Sequence, residues 1–368
     1  MIEAVHIIDE GIRPDMLGQL ELLAEPGERI VSAGPPPGEH AGRACPEPVD
    51  GACPELVERV ESVHCTMGSP RLAGWRMRDR VGDAQVICAW SDKALLAGRE
   101  LALTTGRAMV YLVPAAPTDA NARKVLAEAV GPGLLNVIAP TRFARSRLVA
   151  MGLPERFCHV LPPAALAPED RAAARRKVRR ALEIPDGAKL LVSPDPFVRH
   201  AGHEYASWAH AMLRHIPLEL RLAFPSSGVM EEHYRFFAAT TGFDEEVFFT
   251  HGRLPAAEVI AAADVVVLPQ TRDCGAAMMA SAMAAGVAVA ARGAGSLGEL
   301  AGGGSFALAM AAGPRATSAA LLQLIEGEAL SARLGQAAEA RAGEAFEPTV
   351  VTHGLQEIYA RAIETKAF

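Results

Sequence analysis

The stretch H-G-R-L-P-A-A-E-V-I-A-A-A-D-V-V-V-L-P-Q-T-R-D-C-G-A-A-M-M-A-S-A-M-A-A-G-V-A-V-A-A-R-G-A-G-S-L-G-E-L, residues 251–300, decides how this chain is read. Its pattern is a turn, a helix over Ala256–Ala263, a buried strand over Val265–Leu268 and a loop. A very apolar helix of small residues over Gly275–Ala285 follows, then Gly286, a strand over Val287–Ala291 and a glycine-rich turn into another helix. Short, continuously apolar runs bounded by turn residues are the mark of parallel strands covered on both faces. A helix beginning near Cys274 and Gly275 aims backbone N–H groups without helical partners past the carboxyl end of the preceding strand, which suits a diphosphate. Gly275 lets a ligand approach the backbone closely. The plainer alternative makes Asp273 an N-cap and Gly275 a packing glycine.

Outward from this stretch the same alternation recurs. Towards the N-terminus, strands are expected at Val5–Ile8, Glu28–Ser32, Gln85–Ala89, Ala108–Val113 and Asn136–Ala139, with helices over Met16–Leu23, Lys93–Thr104 and Ala120–Ala129. A helix over Thr141–Gly152, with Thr141 as its N-cap, leads to Cys158–Leu161 and the proline-rich L-P-P-A-A-L-A-P of residues 161–168. Proline cannot pair in a ladder and restricts its predecessor, so this is the expected linker. Strands then resume at Lys189–Val192, Leu218–Phe224, Glu246–Thr250, Asp264–Leu268 and Val287–Ala291. Repeated strand–helix alternation defines doubly wound parallel sheets. The expected organisation is therefore two Rossmann-like domains, 1–168 and 169–345, and a C-terminal segment 346–368 whose helical part, Pro348–Ala362, is amphipathic.

The bulk properties narrow the function. A formal charge of −7 argues against a nucleic-acid partner, which needs clustered cations to neutralise phosphates. The one basic run, Arg171–Arg180, is helical in pattern; it reads as a solvated face, with peripheral contact to anionic lipid as the alternative. Six cysteines are scattered without a C-x-x-C pair, and the spacing of Cys45, Cys53, His64 and Cys65 fits no zinc template. The start of the chain has no basic n-region, and no apolar run reaches the roughly 18 residues a membrane span needs. The reading is a reduced, cytoplasmic protein without a metal or resident cofactor.

Residues 251–300 resemble the nucleotide-sugar-binding segment of glycosyltransferase family 4, a GT-B family. The resemblance rests on Gly252, Pro255, Glu258, Ala263, Asp264, Pro269, Gly275, Ala282, Met283, Ala284, Gly286, Val289, Gly295 and Glu299. It extends more weakly through Asn136–Leu161 and the tail A-F-E-P-T-V-V-T-H-G-L-Q-E-I-Y-A-R-A, which resembles the family's terminal helix that crosses back to the first domain. It implies a GT-B fold, two Rossmann-like sheets facing a cleft, and a hexosyltransferase-type enzyme. Such an enzyme moves a sugar from a nucleotide-sugar to a saccharide or small-molecule acceptor, with retention and without a metal ion.

The implied donor site departs from the family pattern. The family's two Glu residues fall on Asp273 and Ser281, and its diphosphate-binding Arg and Lys fall on Pro196 and Ala201. Arg199 and His200 stand close by, with Gly202 at the family's glycine position. The resemblance thus assigns the diphosphate to Gly202, Cys274, Gly275 and Ala276, and a cation role to Arg199 and His200. It sets Asp273 against the sugar, Ser281 or Glu299 against hydroxyls, and Gly252, Arg253 and Glu258 in the remaining donor contacts. In the N-terminal half the family's acceptor-side His is replaced by P-A-A-P at 114–117, and the Gly-rich loop appears only as G-I-R-P-D-M-L-G. Two other classes stay open. One is a GT-B protein that has lost transfer and serves as a binding or partner subunit. The other is an NAD-dependent oxidoreductase, suggested by Gly293-Ala-Gly295-Ser-Leu-Gly298 but lacking the acidic residue about 20 positions on.

Overall fold

The computed structural model describes residues 2–8, 14–24, 28–32, 60–62, 77–113, 126 and 135–366. The chain divides into two compact units, one of Met1–Pro162 with Pro348–Phe368, the other of Pro163–Glu347.

The first unit holds β1 (Ala4–Ile8), β2 (Arg29–Ser32), β3 (Val60–Ser62), β4 (Val86–Ala89), β5 (Ala108–Leu112), β6 (Leu135–Ala139) and β7 (Cys158–Val160). They form one sheet in the order β3-β2-β1-β4-β5-β6-β7, with every pairing parallel. Helices α1 (Pro14–Leu23), α2 (Asp92–Thr105) and α3 (Arg142–Ala150) accompany it. Thr141 caps α3 as its position in the sequence implies, its Oγ1 accepting from Ala144 N at 3.1 Å.

The second unit begins with α4 (Arg171–Ala181) and contains β8 (Lys189–Val192), α5 (His203–Leu213), β9 (Leu220–Phe224), α6 (Glu231–Thr241), β10 (Val247–Phe249), α7 (Ala256–Ala262) and β11 (Val265–Leu268). It continues with α8 (Ala276–Ala284), β12 (Ala288–Arg292), α9 (Gly295–Leu300), β13 (Leu308–Met310), α10 (Pro314–Glu326) and α11 (Glu328–Ala345). Its sheet is parallel throughout, in the order β10-β9-β8-β11-β12-β13. The central strand β11 shows why the apolar run is unbroken. Val266 and Leu268 enter a core with α8, whereas Val265 and Val267 enter the opposite core with α5 and α10. Helix α8 is buried from Ala276 to Met283; alanine and methionine favour helix, and short side chains allow close packing on the sheet.

The basic run is only partly a solvated face. Arg171, Arg175 and Arg179, four residues apart on one side of α4, turn inward. Arg171 donates to Gly286 O beyond α8 and to Ala261 O, and Arg175 to Ala262 O; the two alanine carbonyls lie at the end of α7, where no helical N–H reaches them. Arg175 also meets Asp264 Oδ1 at 2.8 Å, and Arg179 donates to Pro185 O and Ala188 O. Arg176, Lys177 and Arg180 remain exposed.

The last helix, α12 (Pro348–Lys366), belongs to the first unit. Gln356 Oε1 accepts from Ile2 N at 2.9 Å, and buried Tyr359 lies against Cys88, whose thiol burial pushes up to about 12. Within the same unit Trp90 Nε1–H donates to His6 Nδ1, so the neutral ring of His6 carries its proton on Nε2 and donates it to Glu28.

Among the described residues no helix is long and apolar enough to cross a membrane. The strands β3 and β13, three residues each, are additions to the sequence reading. The expected helix over 120–129 (Leu126 apart), the stretches 11–13 and 114–117, and Cys45, Cys53, His64 and Cys65 lie outside the described residues.

Candidate donor site

In the second sheet the chain passes from β8 to β9 on one side and later returns to β11 on the other. The carboxyl ends of β8 and β11 therefore flank the topological switch point, where open α/β sheets bind ligands. Two loops leave it: Ser193–Gly202 into α5, and Pro269–Gly275 into α8.

The first loop is anchored from inside. His203, 0% exposed, bridges Ser193 Oγ through Nδ1 at 2.9 Å and Asp195 O through Nε2 at 2.9 Å. Because Nε2 faces a carbonyl, it carries the proton, and Nδ1 accepts from the serine. Phe197, Phe224 and Tyr234 pack around the ring, with the Phe197–His203 centroids 4.6 Å apart. Burial lowers the His203 pKa to about 4, although its two carbonyl partners oppose the shift. The unfolded chain, with an ordinary value near 6.5, binds the extra proton between those limits. The stability contributed by neutral His203 is thus full above about pH 6.5 and lost as pH falls towards 4. His203→Asn is expected to flatten this part of the stability–pH curve by up to about 3 kcal/mol. Urea unfolding of both proteins between pH 4 and 7 measures the difference, in which the other histidines cancel; parallel curves contradict the assignment.

The two loops interlock through glycines. Gly202 is the N-cap of α5 at φ 75°, and Gly275 the N-cap of α8 at φ 83°; neither helix start has a side-chain cap. A Cβ on Gly202 would lie 2.3 Å from Pro269 O, and one on Gly275 2.5 Å from Gln270 Nε2. Thr271 N donates to His200 O at 3.0 Å, which ties the loops together. Beneath them Gln270 Nε2 donates to Asp195 Oδ2; both residues are buried, at 0% and 2% exposed. Each uncapped helix start carries about half a positive charge, so the two together present about one. Further positive charge comes from the rim, from exposed Arg199 and Arg272, with partly exposed His200 beside them. Desolvation, then Arg272 and Arg199, lower the His200 pKa, which favours the neutral ring beside the two arginines.

The residues expected from the sequence divide in three. Arg199, His200, Gly202, Cys274, Gly275 and Ala276 come together at the switch point, with Cys274 Sγ 3.9 Å from both Asp195 Oδ2 and His200 O. Gly252 and Arg253 sit in the turn after β10, an edge strand two positions from β8, about 10 Å across the sheet. Three others have their side chains engaged within the protein. Asp273 is not the N-cap of α8, nor does it stand open: Oδ1 accepts from Ser296 N at 2.6 Å and Oδ2 from Ser296 Oγ at 3.0 Å. Ser281, 1% exposed, donates to Ala277 O and accepts from Leu166 N, so its hydroxyl is used within the protein. The carboxylate of Glu258 is held by Lys177 at 2.7 Å. Glu299 is exposed on α9. The positions aligned with the family's missing cations, Pro196 and Ala201, are themselves buried. The Gly293–Gly298 motif follows β12, one strand beyond the switch point, and α9 after it is six residues long.

Sequence reasoning missed Asp195, Gln270, His203 as an anchor, and Arg272. No motif marks them, since their roles follow from the strand order that brings the two loops together. A groove of about 570 Å³ lies elsewhere, lined by Arg171, Arg175, Asp264, Gly286 and Glu339. Its arginines are already engaged by backbone carbonyls and by Asp264.

Two parallel doubly wound sheets, the second with this site at its switch point, define the GT-B class of fold, and comparison with known proteins agrees. The structure of Anabaena Alr3699/HepE in complex with UDP-glucose is similar at 16% identity, covering 98% of this chain and 100% of that one, with a TM-score of 0.79. Sucrose-phosphate synthase from Thermosynechococcus elongatus follows at 15%, 98% and 99%, with a TM-score of 0.72. A glycosyltransferase from Rickettsia africae gives 12%, 98% and 98%, with a TM-score of 0.71. At such identities the likeness establishes the fold. Residues 174–341, nearly all of the second unit, match the family model described as Glycosyl transferases group 1. No curated protein matches the chain.

Proposed function

We propose that the protein is a hexosyltransferase-type glycosyltransferase that takes a sugar from a nucleotide-sugar held at the β8–β11 switch point. The observation that carries the reading is the pair of uncapped helix starts, α5 and α8, meeting there within the segment matched by the group 1 model. In this reading backbone N–H groups around Gly202, Cys274, Gly275 and Ala276 hold the diphosphate, since fixed amide dipoles bind an anion with little reorganisation. Arg199 adds charge, and His200 adds a ring N–H donor beside it. Glu299 faces sugar or ribose hydroxyls, and Gly252 with Arg253 completes the donor contacts. Asp273 acts through Ser296 by fixing the turn before α9. The first unit takes a saccharide or small-molecule acceptor, and transfer proceeds with retention and without a metal ion. The protein works in the cytoplasm; of the basic run, Arg176 and Arg180 face solvent and suit an anionic lipid surface.

A second reading, a binding or partner subunit without transfer, is favoured by the buried Asp195 carboxylate behind α8 and by the internal use of Asp273 and Ser281. Product formation separates the two. Incubation with UDP-glucose, GDP-mannose and ADP-glucose, with and without sugar acceptors, is expected to release nucleoside diphosphate from one donor, and Arg199→Ala to slow that release at least tenfold. Binding of a donor without any release favours the partner subunit; neither binding nor release from folded protein removes the donor site altogether.

A further inference from the structure

We infer that Arg272 is a diphosphate-recognition residue of this protein, acting with Arg199 from the opposite loop in place of the cations that Pro196 and Ala201 cannot supply. The inference deepens the proposed donor site and rests on it.

The argument is one of charge. The α5 and α8 N-termini together present about one positive charge, and Asp195, 2% exposed at the base of the same loops, adds none. A nucleoside diphosphate bears about two or three negative charges, so the backbone alone cannot balance it. The needed charge must come from side chains that reach the mouth of the switch point. Within the two loops, residues 193–202 and 269–275, the basic side chains are Arg199, His200 and Arg272. The bond from Thr271 N to His200 O places Arg272 next to the Arg199–His200 tip. The two arginines' effect on His200 shows the same proximity electrostatically. Gln270 supplies a second, independent indication of a ligand. It is 0% exposed, its amide abuts Gly275 at the start of α8, and its Oε1 has no hydrogen-bond partner. A buried acceptor left unmatched costs free energy, which a donating ligand hydroxyl would recover. Cations at the rim and an unmatched acceptor behind them fit a ligand with both phosphates and hydroxyls.

The test uses the full chain and inorganic pyrophosphate, which assumes no base, alongside UDP, GDP and ADP. Affinities are measured by calorimetry for the parent protein, Arg272→Ala, Arg199→Ala, Arg272→Lys and, as a remote control, Arg341→Ala. Loss of one charged hydrogen bond is expected to weaken pyrophosphate and the preferred nucleotide by about 10- to 100-fold. The lysine variant should recover part of the loss, and Arg341→Ala should change nothing. Binding should also raise the His200 pKa, read by NMR. Arg272 is exposed on a loop, so unchanged thermal melts are expected and exclude misfolding. If a nucleotide binds the parent and Arg272→Ala binds it equally well, the inference is overturned while the donor site stands. If pyrophosphate and all three nucleotides fail to bind the parent, the donor site and the inference fall together.

Discussion

Gly202→Ala is expected to lower the stability of the protein by about 3 kcal/mol or more and to abolish nucleotide binding. Two costs combine at this position. An L-residue at φ 75° is in the left-handed region, worth roughly 1–2 kcal/mol. The added Cβ would also stand 2.3 Å from Pro269 O and 2.8 Å from its carbonyl carbon, backbone atoms that cannot rotate away. The only relief is to separate the two loops, which breaks the bond from Thr271 to His200. Gly242 supplies the control. It ends α6 at φ 70°, and its Cβ would meet nothing within 4 Å. Gly242→Ala should therefore cost only the backbone conformation, about 1–2 kcal/mol. Chemical denaturation of both variants reads the comparison, and equal losses would show that the loops do not touch as described.

Asp264→Ala is expected to destabilise by about 2–3 kcal/mol. Asp264 Oδ1 meets Arg175 at 2.8 Å, while Oδ2 accepts from Leu190 N at 2.8 Å and lies 3.7 Å from Arg179. Its own N–H donates to Leu190 O, so this residue fastens α4 and the start of β8 to the start of β11. Truncation leaves the Leu190 N–H without its acceptor and two guanidinium groups without their counter-charge. The partial exposure of Arg175 and Asp264 keeps the loss below that of a fully buried pair. A double-mutant cycle with Arg175→Ala should return a coupling of about 1 kcal/mol by urea denaturation. Additive losses would mean that Asp264 works through Leu190 alone. In either case Asp264 acts at the amino ends of the strands, away from the switch point. The Ala263–Asp264 pair of the family pattern is therefore explained by packing.

How far the sequence led depends on what kind of signal each feature leaves. Continuous apolar runs such as Val265–Leu268 and Val86–Ala89 were legible because burial on both faces forbids polar residues. The strand Val60–Ser62 was not, since Glu61 and Ser62 leave no apolar run, and Leu308–Met310 lies in an alanine-rich stretch that reads equally as helix. The helix start near Gly275 was legible from the strand and loop before it, whereas Gly202 was marked only by the family resemblance. The partners of side chains were not. Asp273 reaches Ser296 across 23 positions and Ser281 reaches Leu166 across 115, distances set by strand order. The inward stripe of Arg171, Arg175 and Arg179 looked like solvated charge because nothing in the local sequence marks the end of α7 lying alongside.

The central claim is that the uncapped starts of α5 and α8 form the phosphate site. A crystal structure of the full chain with UDP, GDP or ADP tests it most directly. The account expects the β-phosphate within hydrogen-bonding distance of backbone N–H groups near Gly202 and Gly275, with Arg199 and Arg272 closing over it. A nucleotide bound instead at the Gly293–Gly298 turn, or phosphates lying away from both helix starts, would contradict it.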